Sequence, residues 1–264
     1  MTDNAIKDIT KKSIVVAKNE MTKYLRGKKI LVIAGIMILA LVGLTGVGII
    51  VGDEILNDTK VFTSIYMVFA SFIMGLIAVL FASTAIVSEF EERTALITFT
   101  KPIRRSSIFL GKFIATSLLG ILFVIIYFVA VALLSFIVTG EILPELLTSM
   151  GLALLYMMGF TGVALLLSSV TKKGIIAILL AFVIILLVLP LITMLIAAAL
   201  GGMDAVASDD FSSAWFMLDV AGSDIVNIFN ENGDVKVFTS AAVMAAWCAV
   251  TTIASYLLFR RRDF

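Results

Sequence analysis

Six stretches of this chain contain no Asp, Glu, Lys or Arg: residues 30–52, 61–88, 113–140, 146–171, 174–203 and 237–259. Each is at least as long as the roughly 20 residues a helix needs to cross a bilayer core of about 30 Å. A soluble domain has nowhere to bury six such runs, so the pattern predicts an all-α, polytopic membrane protein with six transmembrane helices. At 61% hydrophobic and 15% charged, the chain is expected to form a single transmembrane domain over 1–264, with no separate soluble domain. The longest polar pieces are residues 1–29 and an outer loop at 204–236.

The charges between the runs alternate in sign. All but two of the 20 basic residues fall before the first run, between runs two and three, between runs four and five, or after run six. The exceptions are Lys60 and Lys236. The opposite connections collect Asp53, Glu54, Asp58, Glu141, Glu145, Asp204, Asp209, Asp210, Asp219, Asp224, Glu231 and Asp234. The positive-inside bias then puts both termini in the cytoplasm of a multi-pass protein, with the plasma membrane as its expected location. The net charge of +1 hides this asymmetry and gives no reason to expect a nucleic-acid partner. The run at 30–52 is too long for a signal-peptide core and lacks a small-residue cleavage site, so it is read as a retained span. Cys248 is the only cysteine, which excludes a disulfide within the chain.

Inside the runs the polar groups are hydroxyls, among them Thr45, Ser71, Ser83, Thr84, Thr116, Ser117, Ser135, Thr161, Thr193, Thr251 and Thr252. They are expected to bond to a carbonyl one turn back or to a neighbouring helix; the functional alternative is that a few line a weakly polar route. Ion-coupled pumps keep charged stations at membrane depth, and these runs have none. With no His in the chain, a zinc protease helix and a Ser–His relay are both excluded. The chain is therefore expected to have no catalytic residues, no metal site and no bound cofactor. A phosphate-binding loop of the GxxxxGK[ST] kind is also missing, because Gly111-Lys112 lacks the upstream glycine and the following hydroxyl residue. Any energy source is then expected in another subunit.

The basic side carries the more specific signals. In residues 1–29, Ile6, Ile9, Ile14, Ala17, Met21 and Leu25 recur at roughly helical spacing among lysines, the pattern of a helix lying in the membrane interface against anionic lipid. Between runs two and three, Glu89, Glu91 and Glu92 stand against the prevailing basic bias. Phe90, Ile97, Phe99 and Ile103 add apolar contacts, Pro102 ends any helix begun in run two, and Ser106 is expected to cap the next. A short, charged and partly apolar segment at the membrane edge suits docking into a groove on a soluble protein; a solvated loop with local ion pairs is the plainer reading. Elsewhere, Pro190 is expected to kink run five and is a candidate gate. In the outer loop, Trp215, Leu218, Gly222, Ile225 and Phe229 share a helical face opposite Asp219, Ser223 and Asn227. Trp215 is the candidate anchor and a second gate position, and Gly222 is a candidate break between two short helices. Gly43, Gly46, Gly48 and Gly52 make run one the candidate for close helix–helix approach, with run five opposite.

The segment from Glu89 to Lys112 resembles a stretch in the permease subunits of ATP-binding-cassette transporters of the type-2 exporter class. There the second span is followed by E-x-x-x-G-T-L, several apolar residues, P-[IV]-x-R, and I-x-x-G-K leading into the third. Glu89 through Leu96, Pro102-Ile103-Arg104-Arg105 and Ile108-Phe109-Leu110-Gly111-Lys112 follow that order, with Thr94-Ala95 where the family favours Gly-Thr. The likeness of topology covers nearly the whole chain. It implies that two permease chains, identical or homologous, form the pathway and that each rests on a separate ATP-binding subunit holding ATP and Mg. It also implies short outer helices that dip into the outer leaflet after the fifth span. Glu89, Glu91, Glu92, Arg93, Pro102, Arg104, Gly111 and Lys112 are the positions it points to for contact with that ATPase. A stand-alone secondary transporter or channel, and a membrane assembly factor without an ATPase, are the alternatives; missing intramembrane charge and the absence of a repeat between halves argue against the transporter.

Overall fold

The computed structural model describes residues 2–51, 58–91, 105–207, 212–230 and 235–261. Among them there is no strand, and six helices are long and apolar enough to cross a membrane. Helix α1 (Thr2–Arg26) is followed after Gly27 by α2 (Lys28–Val51), the first span. Span two begins as α3 (Thr59–Ile77), with Asp58 accepting from the Lys60 and Val61 amides at its start. It widens to a π-helix over Ala78–Ala82, resumes as α-helix at Ser83–Ala85, and turns at Ile86 into α4 (Val87–Glu91). Span three is α5 (Arg105–Thr139) and span four is α6 (Glu145–Val170). Span five is α7 (Gly174–Val183), a π segment (Ile184–Val188) and α8 (Leu189–Ala207). After a 3-10 turn at Ser212–Ala214 come the outer helix α9 (Leu218–Asn227) and span six, α10 (Val237–Arg261).

Six helical spans match the six expected runs. The helix of span three already begins at Arg105, before the charge-free run, and Lys112 is buried within it. Ser106 accordingly sits in the first turn, not at the cap. Spans two and four form the centre of the bundle. In each, 61% of the apolar stretch is buried within the chain, against 11% in span one. Span one touches the rest mainly through Ile33 and Met37 and through a Thr45–Tyr66 hydroxyl contact of 2.6 Å. Gly43 and Gly46 face open space, Gly48 is buried, and Gly52 lies outside the described residues.

Most span hydroxyls do what their surroundings demand. Thr45, Thr116, Thr161, Thr193 and Thr251 each donate to the carbonyl four residues back, the cheapest way to satisfy a hydroxyl without water. Ser117 is an exception, its hydroxyl buried with no hydrogen-bond partner. Pro190 lacks an N–H and would crowd the preceding turn of a regular helix. The backbone meets this by opening to the π segment immediately before it. Span five then breaks at Gly202, whose φ of 81° is open to glycine and costly for other residues.

Candidate functional site at the basic end of the bundle

The chemistry of this chain concentrates where α1, span two and span three meet. Ser83 and Thr84 direct their hydroxyls to carbonyls within their own helix, Ser83 to Val79 and Thr84 to Leu80 and Phe81. Such back-bonding bends helices, and here it follows directly on the π segment. At Ile86 the helix turns, and the Glu89 amide bonds to the Ile86 carbonyl at 3.3 Å. The amides of Ile86 and Val87 are taken instead by Ser168 Oγ of span four, each at 3.1 Å. Ile86 keeps helical backbone angles (φ −90°, ψ −46°), so these two bonds tie the short helix end to span four.

The Ala85 carbonyl, opened by this turn, accepts from Lys112 Nζ. Lys112 is only 1% exposed, and its other two contacts are Glu20 Oε1 of α1 at 2.9 Å and Glu89 Oε1 at 3.0 Å. An ammonium has three donors, and all three find acceptors. A buried charge is tolerated only when paired and fully hydrogen-bonded, and this one meets both conditions. Gly111 makes the approach possible: a Cβ there would lie 2.6 Å from Val16 Cβ and 2.8 Å from the Ser13 carbonyl oxygen. Glycine lets α1 touch the span-three backbone, and the next residue clamps α1 and span two together.

Around this centre the other spans are tied in. Glu91 Oε2 accepts from the Gly174 amide at 2.8 Å, capping the start of span five, where a negative charge suits the positive end of the helix dipole. Arg105 Nη1 donates to the Arg260 carbonyl at 2.9 Å. Ser169 and Ser255 hydroxyls meet at 2.7 Å between spans four and six. Tyr24 packs edge-on against Phe81, with centroids 5.5 Å apart. Burial first, and then the charge of Glu20, push its hydroxyl pKa upward, so it stays protonated.

Among the residues singled out by sequence, Glu89, Gly111 and Lys112 therefore come together, and Glu91 at the end of α4 caps span five. Glu92, Arg93, Pro102 and Arg104 lie outside the described residues. Glu20 and Ser168 were missed. Glu20 had a readable signal, as the lone carboxylate in the basic run from Lys11 to Lys29; Ser168 had none. The expected apolar face of α1 divides. Ala17 is buried and Met21 partly so, whereas Ile14 and Leu25 remain exposed.

At the opposite end, α9 is seated on spans four and six. Leu218, Ile225 and Phe229 are buried as their spacing predicts. Gly222, however, does not separate two helices. It lies within α9 against the Tyr156 ring, where a Cβ would fall 2.5 Å from ring carbons. Trp215 precedes α9 and is 57% exposed, so it does not share the buried face. The Ile225 carbonyl accepts from Ser149 at 2.7 Å, Asp224 accepts from Ser240, and the Phe216 carbonyl accepts from Trp247 at 2.8 Å. Tyr156 donates to Asp219 Oδ1 at 3.4 Å. Burial raises the Asp219 carboxyl pKa, and that hydrogen bond offsets part of the rise. A raised folded-state pKa means the seated form binds more protons than the released form. The seat is therefore firmest below the ordinary carboxylate value and weakens as pH rises through the raised one. Hydrogen exchange in α9 is expected to quicken beyond its intrinsic pH dependence as pH rises above the ordinary carboxylate range, and Asp219→Asn should remove that excess.

A family model described as "ABC-2 family transporter protein" matches residues 14–264. A curated relative, "Probable ABC transporter permease protein NosY" of Stutzerimonas stutzeri, is 33% identical over 139 residues, which are 52% of this chain. The match spans 50% of that relative's length.

Proposed function

Since the chain belongs to the ABC-2 family of transporter proteins, we propose that it is the permease subunit of an ATP-driven exporter. In this reading two permease chains line the pathway, and each is driven by a separate ATP-binding subunit that holds ATP and Mg. Both termini and the basic end face the cytoplasm of the plasma membrane. The observation that carries the reading is the Lys112 cluster. It joins α1 and the end of span two into one body, and residues 92–104, next in the sequence, are the proposed ATPase-contact segment. Glu20, Glu89 and Lys112 are positioning residues in this scheme, since they hold that body together rather than meet the partner. Span one supplies the second-chain contact, because Gly43 and Gly46 leave room on a face the chain itself does not cover. The hydroxyl-lined spans suit a substrate with an apolar or amphipathic part better than a bare ion.

Two measurements test the proposal together. Co-expression with the ABC ATPase of the same operon is expected to yield a complex whose ATP hydrolysis depends on this chain. Single cysteines along residues 43–47 in a Cys248→Ala background are expected to cross-link chain to chain with helical periodicity. A purified particle with one permease chain and full ATPase coupling would refute the dimer. Recovery of no ATPase would refute the exporter.

A further inference from the structure

A cavity of about 310 Å³ opens beside the Lys112 cluster, where α1 turns into span one against the π segment of span two. The bend at Gly27 brings Lys23, Lys28 and Lys29 to its wall. Thr84 and Ser88 add hydroxyls, and Tyr24 and Phe81 add aromatic surface. The one carboxylate on the wall, Glu20, is already bound to Lys112. Lys29 Nζ donates to the Leu80 carbonyl at 3.0 Å and to Thr84 Oγ1 at 2.9 Å, which uses two of its three donors. Lys23 lies on the same wall, and the Tyr24 hydroxyl is buried near Glu20. Like charges gathered around hydroxyl donors in a half-enclosed space are a receptor for an anion with several oxygens.

We propose that this cavity binds the phosphate headgroup of an anionic phospholipid. A lipid fits better than a free anion because Leu31 and Val32, directly following the lysines, are 71% and 52% exposed and offer acyl chains an apolar flank along span one. Bound there, the headgroup bridges α1, span one and span two, and shares a wall with the clamp that fixes α1. The leaflet rests on the cytoplasmic placement of the basic end; the binding does not need an ATPase, so its failure and that of the exporter reading are distinguishable.

The test is native mass spectrometry of the full chain extracted from vesicles of equimolar phosphatidylglycerol and phosphatidylcholine. Wild type is expected to retain phosphatidylglycerol selectively. Lys23→Gln with Lys28→Gln, two exposed positions, should weaken retention roughly thirtyfold, given about fivefold per lysine. The charge-matched control Lys11→Gln with Lys18→Gln, exposed on α1 but outside the cavity, should leave it unchanged. Equal retention of the two lipids, or equal loss in the control, would overturn the site. Displacement of the lipid by inorganic phosphate alone would overturn the lipid assignment in favour of a soluble anion.

Discussion

Lys112→Met is expected to release α1 from the bundle while leaving the six spans inserted. The variant keeps the length of the side chain and removes its charge. It removes the cation that Glu20 and Glu89, only 12% and 13% exposed, share. Breaking a buried pair in this way costs about 3–5 kcal/mol, more than the few contacts of one amphipathic helix readily absorb. Amide exchange over residues 10–26 should therefore rise on the order of a hundredfold or more. Adding Glu20→Gln and Glu89→Gln to the same variant removes the two carboxylate charges and should restore much of the protection, because an apolar or neutral replacement of a buried ion cluster is often tolerated. Unchanged exchange in Lys112→Met would show that α1 is held by other contacts.

Gly111→Ala should be nearly as damaging, by a different route. The new methyl falls 2.6 Å from Val16 Cβ and 2.8 Å from the Ser13 carbonyl oxygen. Neither is the tip of a flexible side chain, so only a shift of the α1 backbone relieves the clash. Overpacking of this kind costs about 1–3 kcal/mol, and it also pulls Glu20 away from Lys112. Gly46→Ala is the matched control, since nothing lies within 4 Å of a Cβ there and alanine is the better helix former. Thermal stability and α1 exchange should fall in the first variant and hold in the second. If both variants behave alike, close packing at Gly111 is not what seats α1.

The spans were legible because a charge-free run of bilayer length has few other uses, and the family motif was legible because its charges break the local sign rule. The same logic does not reach the role of Lys112. Treating every charge as a boundary assumes water around it, whereas Lys112 finds its partners inside the protein. Its pairing with Glu20 crosses 92 positions and leaves no periodic trace. Gly222 was misread for a related reason. In a short loop helix glycine signals a break, but the ring of Tyr156 demands its small size, and only the packed structure brings those two together. Trp215 satisfied a helical spacing whose helix begins only at Leu218.

The π segment at Ala78–Ala82 makes span two a matter of counting. A π turn holds one residue more than the regular helix, and one residue corresponds to about 100° of rotation. Everything beyond it, including the Ala85 carbonyl, the Ile86 and Val87 amides and Glu89, is phased by that surplus. Deleting any one of the five would leave a smoother, more regular helix whose far end points the wrong way, with Glu89 turned from Lys112 and the freed amides turned from Ser168. Composition in this stretch is open to change among small and apolar side chains, but its length is not. An insertion or deletion there would cut the link between the bundle and the Lys112 cluster without touching a single charged residue.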